Sequence, residues 1–392
     1  MEYRSSLGVN MPSTPTKTGY KFAGWNTSQS ATTGSFTAST LVTSDITVYA
    51  IWIELTEVTF INTAAQLNNV RNNLSGNYRL TATIALETYG NWQPIGTESK
   101  PFTGTFDGNG YKITGLTIDR KTEEFAGLFG FINGGTITNL ALEDVDIVRS
   151  MLAGAIAGVV FYSTITNSYS TGNIFAEFHS GGIAGVTQSS TITNSYSTGE
   201  ISSEFRSGGI VGLVENSIIV NSYSTGNIFA SSYDAGGIAG MVRNSTITNS
   251  YSTGEISSGD SSGGIVGMID NGGPAYITIS NCAAINKNIK AGSYAGRIVG
   301  IGRMWDIINS TTSMSNNFAL NTMQATSNAQ FNTTDIRLHG ISKTDAQLRT
   351  QSTYSNAIIG NGQGGLGWKF GNNNDYPWKM PDGGGYPILY WQ

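Results

Sequence analysis

Between Gly154 and Gly300 the apolar and polar residues follow one pattern that repeats every 27 or 28 residues. The phrase Gly-Ile-(Ala/Val)-Gly begins at Gly182, Gly209 and Gly237, and an alternating triplet such as Thr-Ile-Thr follows each copy. Alternation puts the isoleucine on one face of a short strand and the threonines on the other, and no run has the helical period. A fixed period of this length is typical of a stacked solenoid. We therefore predict an all-β fold, a right-handed parallel β-helix that forms a three-sided solenoid with end caps.

One asparagine follows each triplet, at Asn139, Asn167, Asn194, Asn221, Asn249 and Asn281. With one coil per repeat these side chains lie above one another, where their amides can hydrogen-bond along the solenoid axis. We predict a structural ladder here in preference to a ligand site. Glycine pairs such as Gly181-Gly182 recur with the same period, and we expect them to form corners with positive φ. The single cysteine, Cys282, fills the place held elsewhere by Ser168, so we expect a small inward position.

The two repeated phrases together resemble a known family. Gly-Gly-Ile-(Ala/Val)-Gly followed by Ile-Thr-Asn-Ser-Tyr-Ser-Thr-Gly, as at residues 181–185 and 192–199, is similar to the GLUG-motif repeats of bacterial surface proteins. The resemblance covers about residues 125 to 300. It implies a scaffold or stalk, in a family that includes adhesins and IgA-specific metallopeptidases. The sequence contains no His-Glu-x-x-His, so the resemblance does not extend to the peptidase motif.

The chain ahead of the repeats divides into two parts. Tyr20-Lys-Phe-Ala-Gly-Trp25 and Val48-Tyr-Ala-Ile-Trp52 resemble the Listeria–Bacteroides repeat, whose first strand is partly truncated here, and we expect the tryptophans to form a small core. We predict this module at 1–53, an N-terminal cap and first coils at 54–126, GLUG-type repeats at 127–300, and C-terminal coils with a cap at 301–392. Helix-capping patterns begin at Thr63 and Thr344, each with a glutamine three residues later.

Composition narrows the setting in which the protein works. Charged residues make up 12% of the chain and the net charge is −5, which gives no electrostatic footprint for nucleic acid. No run of 18 apolar residues exists, so we expect no membrane insertion. Met1 is not followed by the apolar core of a signal peptide, and we expect it to be a fragment boundary. We predict a monomer that is extracellular or held at the cell surface.

Candidate chemistry is sparse in this sequence. Its two histidines, His179 and His339, are far apart, and the spacing of cysteine and histidine ligands for a metal is absent. Paired carboxylates in register are also missing from the triplets, so we predict no cofactor and no enzyme. A polysaccharide lyase or hydrolase is the alternative, since other β-helices carry such activities. Ice binding by the threonine rows is a weaker alternative, because Ile218 and Val220 interrupt those rows.

One periodic column combines rings with charges. Phe178, Phe205 and Tyr233 precede successive Gly-Gly pairs by the same spacing. The flanking charged residues and histidine are Glu177, His179, Glu204, Arg206 and Asp234. We predict that these eight residues bind a glycan or a protein loop. The alternative is that the rings pack beneath a loop and the charges are only solvated.

A second column consists of Tyr169, Tyr196, Tyr223 and Tyr251. We expect these rings to stack about 5 Å apart, which is the strand spacing, and to stiffen the solenoid in preference to binding a ligand. Together these patterns predict a non-catalytic extracellular bacterial surface protein, an adhesin or binding scaffold. Its partner would be a protein or glycan of a host or neighbouring cell.

Overall fold

The computed structural model describes residues 5–6, 11, 14–17, 20–42, 44–54, 57–120, 123–270, 276–302, 312–326, 339–356 and 364–392. The chain forms two compact units, Met1–Thr59 and Phe60–Gln392. Parts of the predicted 1–53 module and of the predicted 301–392 segment lie outside the described residues.

The first unit is a small antiparallel β module. Strand Tyr20–Asn26 pairs with Tyr49–Glu54, and Ser5–Ser6 pairs with Leu41–Val42. Phe22 packs edge-on against Trp25 and Trp52, at centroid distances of 5.4 and 5.6 Å. The tryptophans therefore pack together with Phe22 on the main strand pair, in line with the small aromatic core that we expected.

The second unit is a parallel β-solenoid of about seven turns, which confirms the predicted fold class. Among the described residues its strands form three sheets. The seven-stranded sheet contains Phe129–Asn133, Ala157–Phe161, Ala184–Gln188, Val211–Glu215, Ala239–Arg243, Val266–Ile269 and Val299–Gly302. The ten-stranded sheet contains Val58–Ile61, Asn77–Leu80, Thr105–Asp107, Thr136–Thr138, Thr164–Thr166, Thr191–Thr193, Ile218–Val220, Thr246–Thr248, Ile277–Ser280 and Thr312–Ser315.

The third sheet is the longest, and each coil supplies several of its strands. Its described strands are Ile84–Ala85, Lys112–Thr114, Thr117–Asp119, Phe125–Ala126, Ala141–Gly154, Tyr169–Gly181, Tyr196–Ser197, Ile201–Ser203, Arg206–Gly208, Tyr223–Ser224, Ile228–Ala230, Asp234–Gly236, Tyr251–Ser252, Ile256–Ser258, Ser261–Gly263, Ala283–Ala284, Asn288–Ala291, Tyr294–Gly296, Phe318–Leu320, Gln324–Thr326 and Ile341–Lys343. This face is therefore more divided than the other two, although the solenoid has the three sides that we predicted. In the coil from residue 211 to 236 the chain of this face is interrupted twice, so that coil contains five short strands.

Identical residues lie directly above one another in the solenoid. Ile165 pairs with Ile192, and Ile192 pairs with Ile219, in parallel register. These isoleucines are almost fully buried, and the threonines beside Ile192 differ, since Thr191 is half-buried and Thr193 is buried. The predicted asparagine ladder is confirmed from Asn139 to Asn221, four of its six predicted members: the Nδ2 of Asn194, for example, donates to the Oδ1 of Asn167 at 3.2 Å. The same bond joins further coils on both sides of this pair.

The corners of the coil differ from the prediction. Positive φ falls on the ladder asparagines, for example 51° at Asn167 and 50° at Asn194, and not on Gly181 or Gly182. Asparagine tolerates this region because its short polar side chain bonds locally. The glycine pairs serve close packing instead, since a Cβ on Gly182 would lie 2.4 Å from the carbonyl oxygen of Gly209 in the next coil. The repeat pattern identified the right residues, but the reason that we inferred for them was wrong.

A serine follows four of these corner asparagines, as Ser168 follows Asn167, and this serine links one coil to the next. The backbone N–H of Ser168 donates to the Oγ of Ser195, and that of Ser195 donates to the Oγ of Ser222. Each Oγ also donates to the carbonyl two residues earlier in its own coil. We call this column the serine ladder, and a second one runs through Ser163, Ser190, Ser217 and Ser245.

Cys282 occupies the serine-ladder position of its coil. Its Sγ lies 3.3 Å from the carbonyl oxygen of Ser280, two residues earlier, and the side chain is fully buried. The predicted small inward position is confirmed. Burial raises the pKa of this thiol to about 12, which disfavours the reactive thiolate.

Short helices accompany the solenoid at the two predicted positions. Thr63 caps helix Ala64–Asn68, which continues into the 3₁₀ helix Asn69–Asn72. Thr344 and Gln347 form a capping box at helix Asp345–Leu348, and Gln351–Ser355 follows. The antiparallel pair of strands Trp378–Lys379 and Ile388–Leu389 belongs to segment 364–392.

Candidate functional site

Three aromatic rings form a continuous stack on the long face of the solenoid. Phe178 lies in strand Tyr169–Gly181, while Phe205 and Tyr233 occupy the equivalent bends of the next two coils. The centroid of Phe205 lies 4.7 Å from that of Phe178 and 5.0 Å from that of Tyr233, with 11° between ring planes in both pairs. We call these three residues the aromatic strip.

The aromatic strip faces solvent. Phe178 is 36% exposed and Tyr233 is 46% exposed, and Phe205 between them is half-buried. Glu177 and Glu204 flank the strip on exposed positions one coil apart, where the N–H of Glu204 donates to the carbonyl of Glu177. The structure therefore brings these five predicted residues together on one accessible surface.

The other three predicted site residues are less accessible than the strip. His179, Arg206 and Asp234 are paired in register as a column beside it. Asp234 is almost fully buried, and its Oδ2 lies 3.4 Å from the Nε of Arg206, an ion pair without the alignment of a good hydrogen bond. We call these three residues the buried column, because Asp234 is buried and His179 and Arg206 are half-buried.

Burial shifts the pKa values of Asp234 and His179 in opposite directions. It raises the pKa of Asp234 to about 6, against the opposing effect of Arg206 and with a smaller contribution from Asp260. It lowers the pKa of His179 to about 4, assisted by the nearby positive charge of Arg206. His179 is therefore neutral in the folded protein at neutral pH.

Replacing His179 with glutamine is expected to change how stability depends on pH. Because the folded-state pKa lies below the ordinary value of 6.5, the neutral His179 costs the wild-type protein no stability above pH 6.5, and the cost grows as the pH falls from 6.5 towards 4. As the pH falls over that interval, the melting temperature of His179→Gln should therefore rise relative to that of the wild type. Calorimetry from pH 4 to 8 measures the difference.

The matched control is Asp234→Asn, for which stability should change with pH in the opposite direction. A folded-state pKa raised from 3.8 to about 6 gives stability that is present below pH 3.8 and is lost as the pH rises through 6. The melting temperature of Asp234→Asn relative to wild type should therefore rise with pH. Parallel slopes for the two variants would contradict the burial of this column.

Two further exposed rings lie near the strip and were not predicted as site residues. Phe175 and Phe229 are 41% and 47% exposed, two coils apart, with Ser202 in register between them. The signal was present in the chain, since Gly-Asn-Ile-Phe and Gly-Glu-Ile-Ser alternate from coil to coil. They extend the apolar part of this face.

The tyrosine column predicted from the sequence is present and stacked. We call Tyr169, Tyr196, Tyr223 and Tyr251 the tyrosine ladder; its neighbouring centroids are 4.7, 4.9 and 4.8 Å apart. It does not face solvent along its whole length, because segment 364–392 lies against it. Trp391 packs on Tyr196, and Trp368 packs on Tyr251.

Two features are absent from the described part of the chain. No group of three or more His, Cys, Asp or Glu residues there is placed to hold a metal ion. Within those same ranges no helix is long and apolar enough to cross a bilayer.

Sequence comparisons relate parts of the chain to known proteins. Residues 2–51 match the family model of the Listeria-Bacteroides repeat domain, in agreement with the resemblance of the first module. The chain is 40% identical over 109 residues to the "Putative Gly-rich membrane protein" of Evansella cellulosilytica, covering 25% of this chain and 13% of that protein. It is 33% identical over 123 residues to "Halomucin" of Haloquadratum walsbyi, covering 31% and 1%. The chain thus spans a small fraction of these relatives' length.

Solved structures share the architecture. The structure named as a "putative immunoglobulin A1 protease" from Bacteroides ovatus has a TM-score of 0.56 at 24% identity, covering 86% of this chain and 93% of that one. A structure named "IgA1 Protease" has a TM-score of 0.54 at 17% identity, covering 75% and 25%. At these identities the likeness shows the fold alone.

These structures correct one prediction. We predicted that the chain is not an enzyme. This prediction is wrong, because the solved structures that share its fold are named as proteases. The prediction depended on a missing His-Glu-x-x-His and on missing paired carboxylates, and an absent motif does not exclude activity in a fold that occurs in proteins so named. The likeness assigns no catalytic residue to this chain.

The relatives define the class more coarsely than we predicted. They are surface or secreted proteins, and the Listeria-Bacteroides repeat is typical of surface proteins. The specific resemblance of the solenoid to GLUG-motif repeats stays a prediction, as does the location of this chain.

Proposed function

We propose that this chain is an extracellular binding scaffold of a surface protein, and that the aromatic strip carries the contact with a host or neighbouring-cell protein. The observation that supports this most directly is the exposed stack of Phe178, Phe205 and Tyr233 on consecutive coils. Contiguous exposed apolar surface is uncommon on soluble proteins and marks interaction sites.

The stacking geometry favours a protein partner over a glycan. A sugar ring binds an aromatic residue through the flat face of the ring, but both faces of Phe205 are covered by its neighbours in the stack. The strip therefore presents ring edges, which suit apolar and aromatic side chains of another protein. Glu177 and Glu204 add negative charge beside these edges and favour a partner with basic residues there.

Repetition along the strip would add to the affinity. Each coil offers a similar contact about 5 Å from the last, so an extended segment can engage several coils at once. Weak contacts that are tethered together gain apparent affinity without any new type of interaction. Phe175 and Phe229 widen the same face and could contact the flanks of such a segment.

Changing all three rings of the strip to alanine is expected to abolish this binding and to lower the melting temperature by only a few degrees, because the rings are partly exposed. The measurement is binding of the intact chain to arrays of host-matrix proteins and of glycans, with calorimetry on the same samples. The matched control replaces three exposed rings outside the strip, Phe60, Tyr162 and Tyr276, and should keep wild-type binding.

Three outcomes would contradict the proposal. Binding that survives in the strip variant would place the contact elsewhere on the chain. Binding to glycans alone, with none to proteins, would contradict the argument from ring edges. A loss of more than about 3 kcal/mol in the free energy of unfolding would show that the rings are core residues.

A further inference from the structure

Large and small side chains alternate along one outward column of the long face. Phe175, Ser202, Phe229 and Ser257 lie in parallel register on four consecutive coils. Both rings are exposed, and both serines are half-buried. Each ring therefore stands beside a notch over a serine, and we call these four residues the alternating column.

The notch over Ser202 has the width of one aromatic ring. Phe175 and Phe229, which bound it, are two coils apart, about 9.6 Å at the strand spacing. Rings that stack on this solenoid lie 4.7 to 5.0 Å from their neighbours. The notch over Ser257 is bounded by Phe229 and by the exposed Lys290, so a ring there would contact one ring and one cation.

A second copy of the same column, turned end for end, supplies rings in the matching order. A two-fold axis along the strand direction brings this face against itself with the order of the coils reversed. The second copy is shifted so that its Phe229 lies over Ser202 of the first, and by symmetry its Ser202 receives Phe229 of the first. Phe175 of each copy then lies over Ser257 of the other, and every ring enters a notch.

The polar column before the alternating column has the same two-coil period. Its members are Asn173, Glu200, Asn227 and Glu255, and all are exposed. In the shifted arrangement Glu200 faces Asn227 of the second copy, and Glu255 faces Asn173. The Oδ1 of Asn227 accepts the backbone N–H of Glu255 in its own chain at 3.0 Å, and an amide N–H that donates to a carboxylate forms a charge-assisted hydrogen bond.

The polar column after the alternating column keeps like charges apart in this arrangement. Its members are Glu177, Glu204, Ser231 and Gly259, all of them exposed. Glu204 faces Ser231 of the second copy, and Glu177 faces Gly259. Moving the second copy by one coil would instead set Glu200 against Glu200 and rings against rings. Opposed like charges cost energy, so the three columns favour one register.

We propose that two copies of this chain associate through the alternating column and the polar column on each side of it, with antiparallel solenoid axes. This dimer replaces the monomer that we predicted from the sequence. Three columns over four coils give about twelve residues a side, fewer than the roughly 20–30 of a standard interface, so the association is weak and reversible. The proposal does not depend on the aromatic strip, and the triple alanine variant of the strip should still dimerise.

Sedimentation equilibrium of the intact chain tests the association, and we expect a dimer with a Kd of about 100 μM. Ser202→Phe puts a ring into the notch that Phe229 of the second copy needs, so it should weaken the dimer at least tenfold while keeping the melting temperature. Ser202→Ala is the matched control, since it leaves the notch open and should dimerise as wild type does. A wild-type chain that stays monomeric at ten times the expected Kd, or equal association by the two variants, would overturn the proposal.

Crosslinking between two single variants tests the register. Asn173→Cys and Glu255→Cys are mixed and treated with a short bismaleimide, and Cys282 is fully buried and does not compete. We expect crosslinked dimer in the mixture and not in either variant alone, because the two different positions face each other. Two copies of the same position lie three coils apart, about 14 Å along the axis. Crosslinking in one variant alone, or none in the mixture at concentrations where the dimer forms, would contradict the proposed arrangement.

Discussion

Replacing Ile192 with aspartate is expected to destabilise the solenoid by more than about 4 kcal/mol, or to prevent folding. Ile192 is 1% exposed and lies between Ile165 and Ile219 of the neighbouring coils. A carboxylate there has no partner in a column of isoleucines, and an unpaired buried charge is among the costliest single changes. Urea unfolding followed by circular dichroism measures the loss.

The adjacent residue provides the control for this prediction. Thr191 precedes Ile192 in the same strand and is half-buried on the opposite face, so Thr191→Asp should cost less than about 1 kcal/mol. Equal losses for the two variants would mean that the alternation of inward and outward positions is not as described. Because coils contact only their neighbours, unfolding can lose two-state behaviour, and the midpoints should be compared as well as the free energies.

Tyr223→Ala is expected to cost about 3–5 kcal/mol and to release segment 364–392 from the solenoid. Tyr223 is 4% exposed, stacked between Tyr196 and Tyr251, and its hydroxyl bonds to the side-chain amide of Gln392. Removing it leaves a gap in the tyrosine ladder beneath Trp378, one of the rings that hold the segment. Limited proteolysis with mass spectrometry should then find new cleavage within 364–392.

Tyr233→Ala is the matched control, since it removes a tyrosine that is stacked but 46% exposed in the aromatic strip. We expect it to cost less than about 1 kcal/mol and to leave the protease pattern unchanged. If segment 364–392 stays protected from the protease in Tyr223→Ala, its attachment depends on other contacts, such as the hydrogen bond from the hydroxyl of Tyr251 to the carbonyl of Pro387.

The repeat made the core of the solenoid predictable. A step of 27 or 28 residues places like residues above like, and the pairing of Ile165 with Ile192 follows directly from it. The physical role of the corner residues did not follow. Glycine pairs suggest positive φ from sequence alone, but the close approach to Gly209 that actually requires Gly182 is visible only when two coils are stacked.

The candidate sites were predictable to different degrees. The period alone identified the aromatic strip, because Phe178, Phe205 and Tyr233 share it. The contacts of segment 364–392 with the tyrosine ladder were not predictable, because the segment has no repeat and nothing in its sequence says that Trp368 and Trp391 lie on opposite parts of one ladder. Burial likewise separated Asp234 from Glu204, although both are acidic residues at neighbouring positions of the pattern.

The serine ladder allows whole coils to be gained or lost during evolution. Each serine hydroxyl accepts the N–H of the coil before it, so a coil that is inserted or removed between two identical neighbours leaves no corner amide without an acceptor. Nearly identical gene segments recombine readily, and every such exchange would lengthen or shorten the protein by whole coils of about 4.8 Å. A lineage carrying this chain can therefore adjust how far the solenoid extends without redesigning any part of its interior.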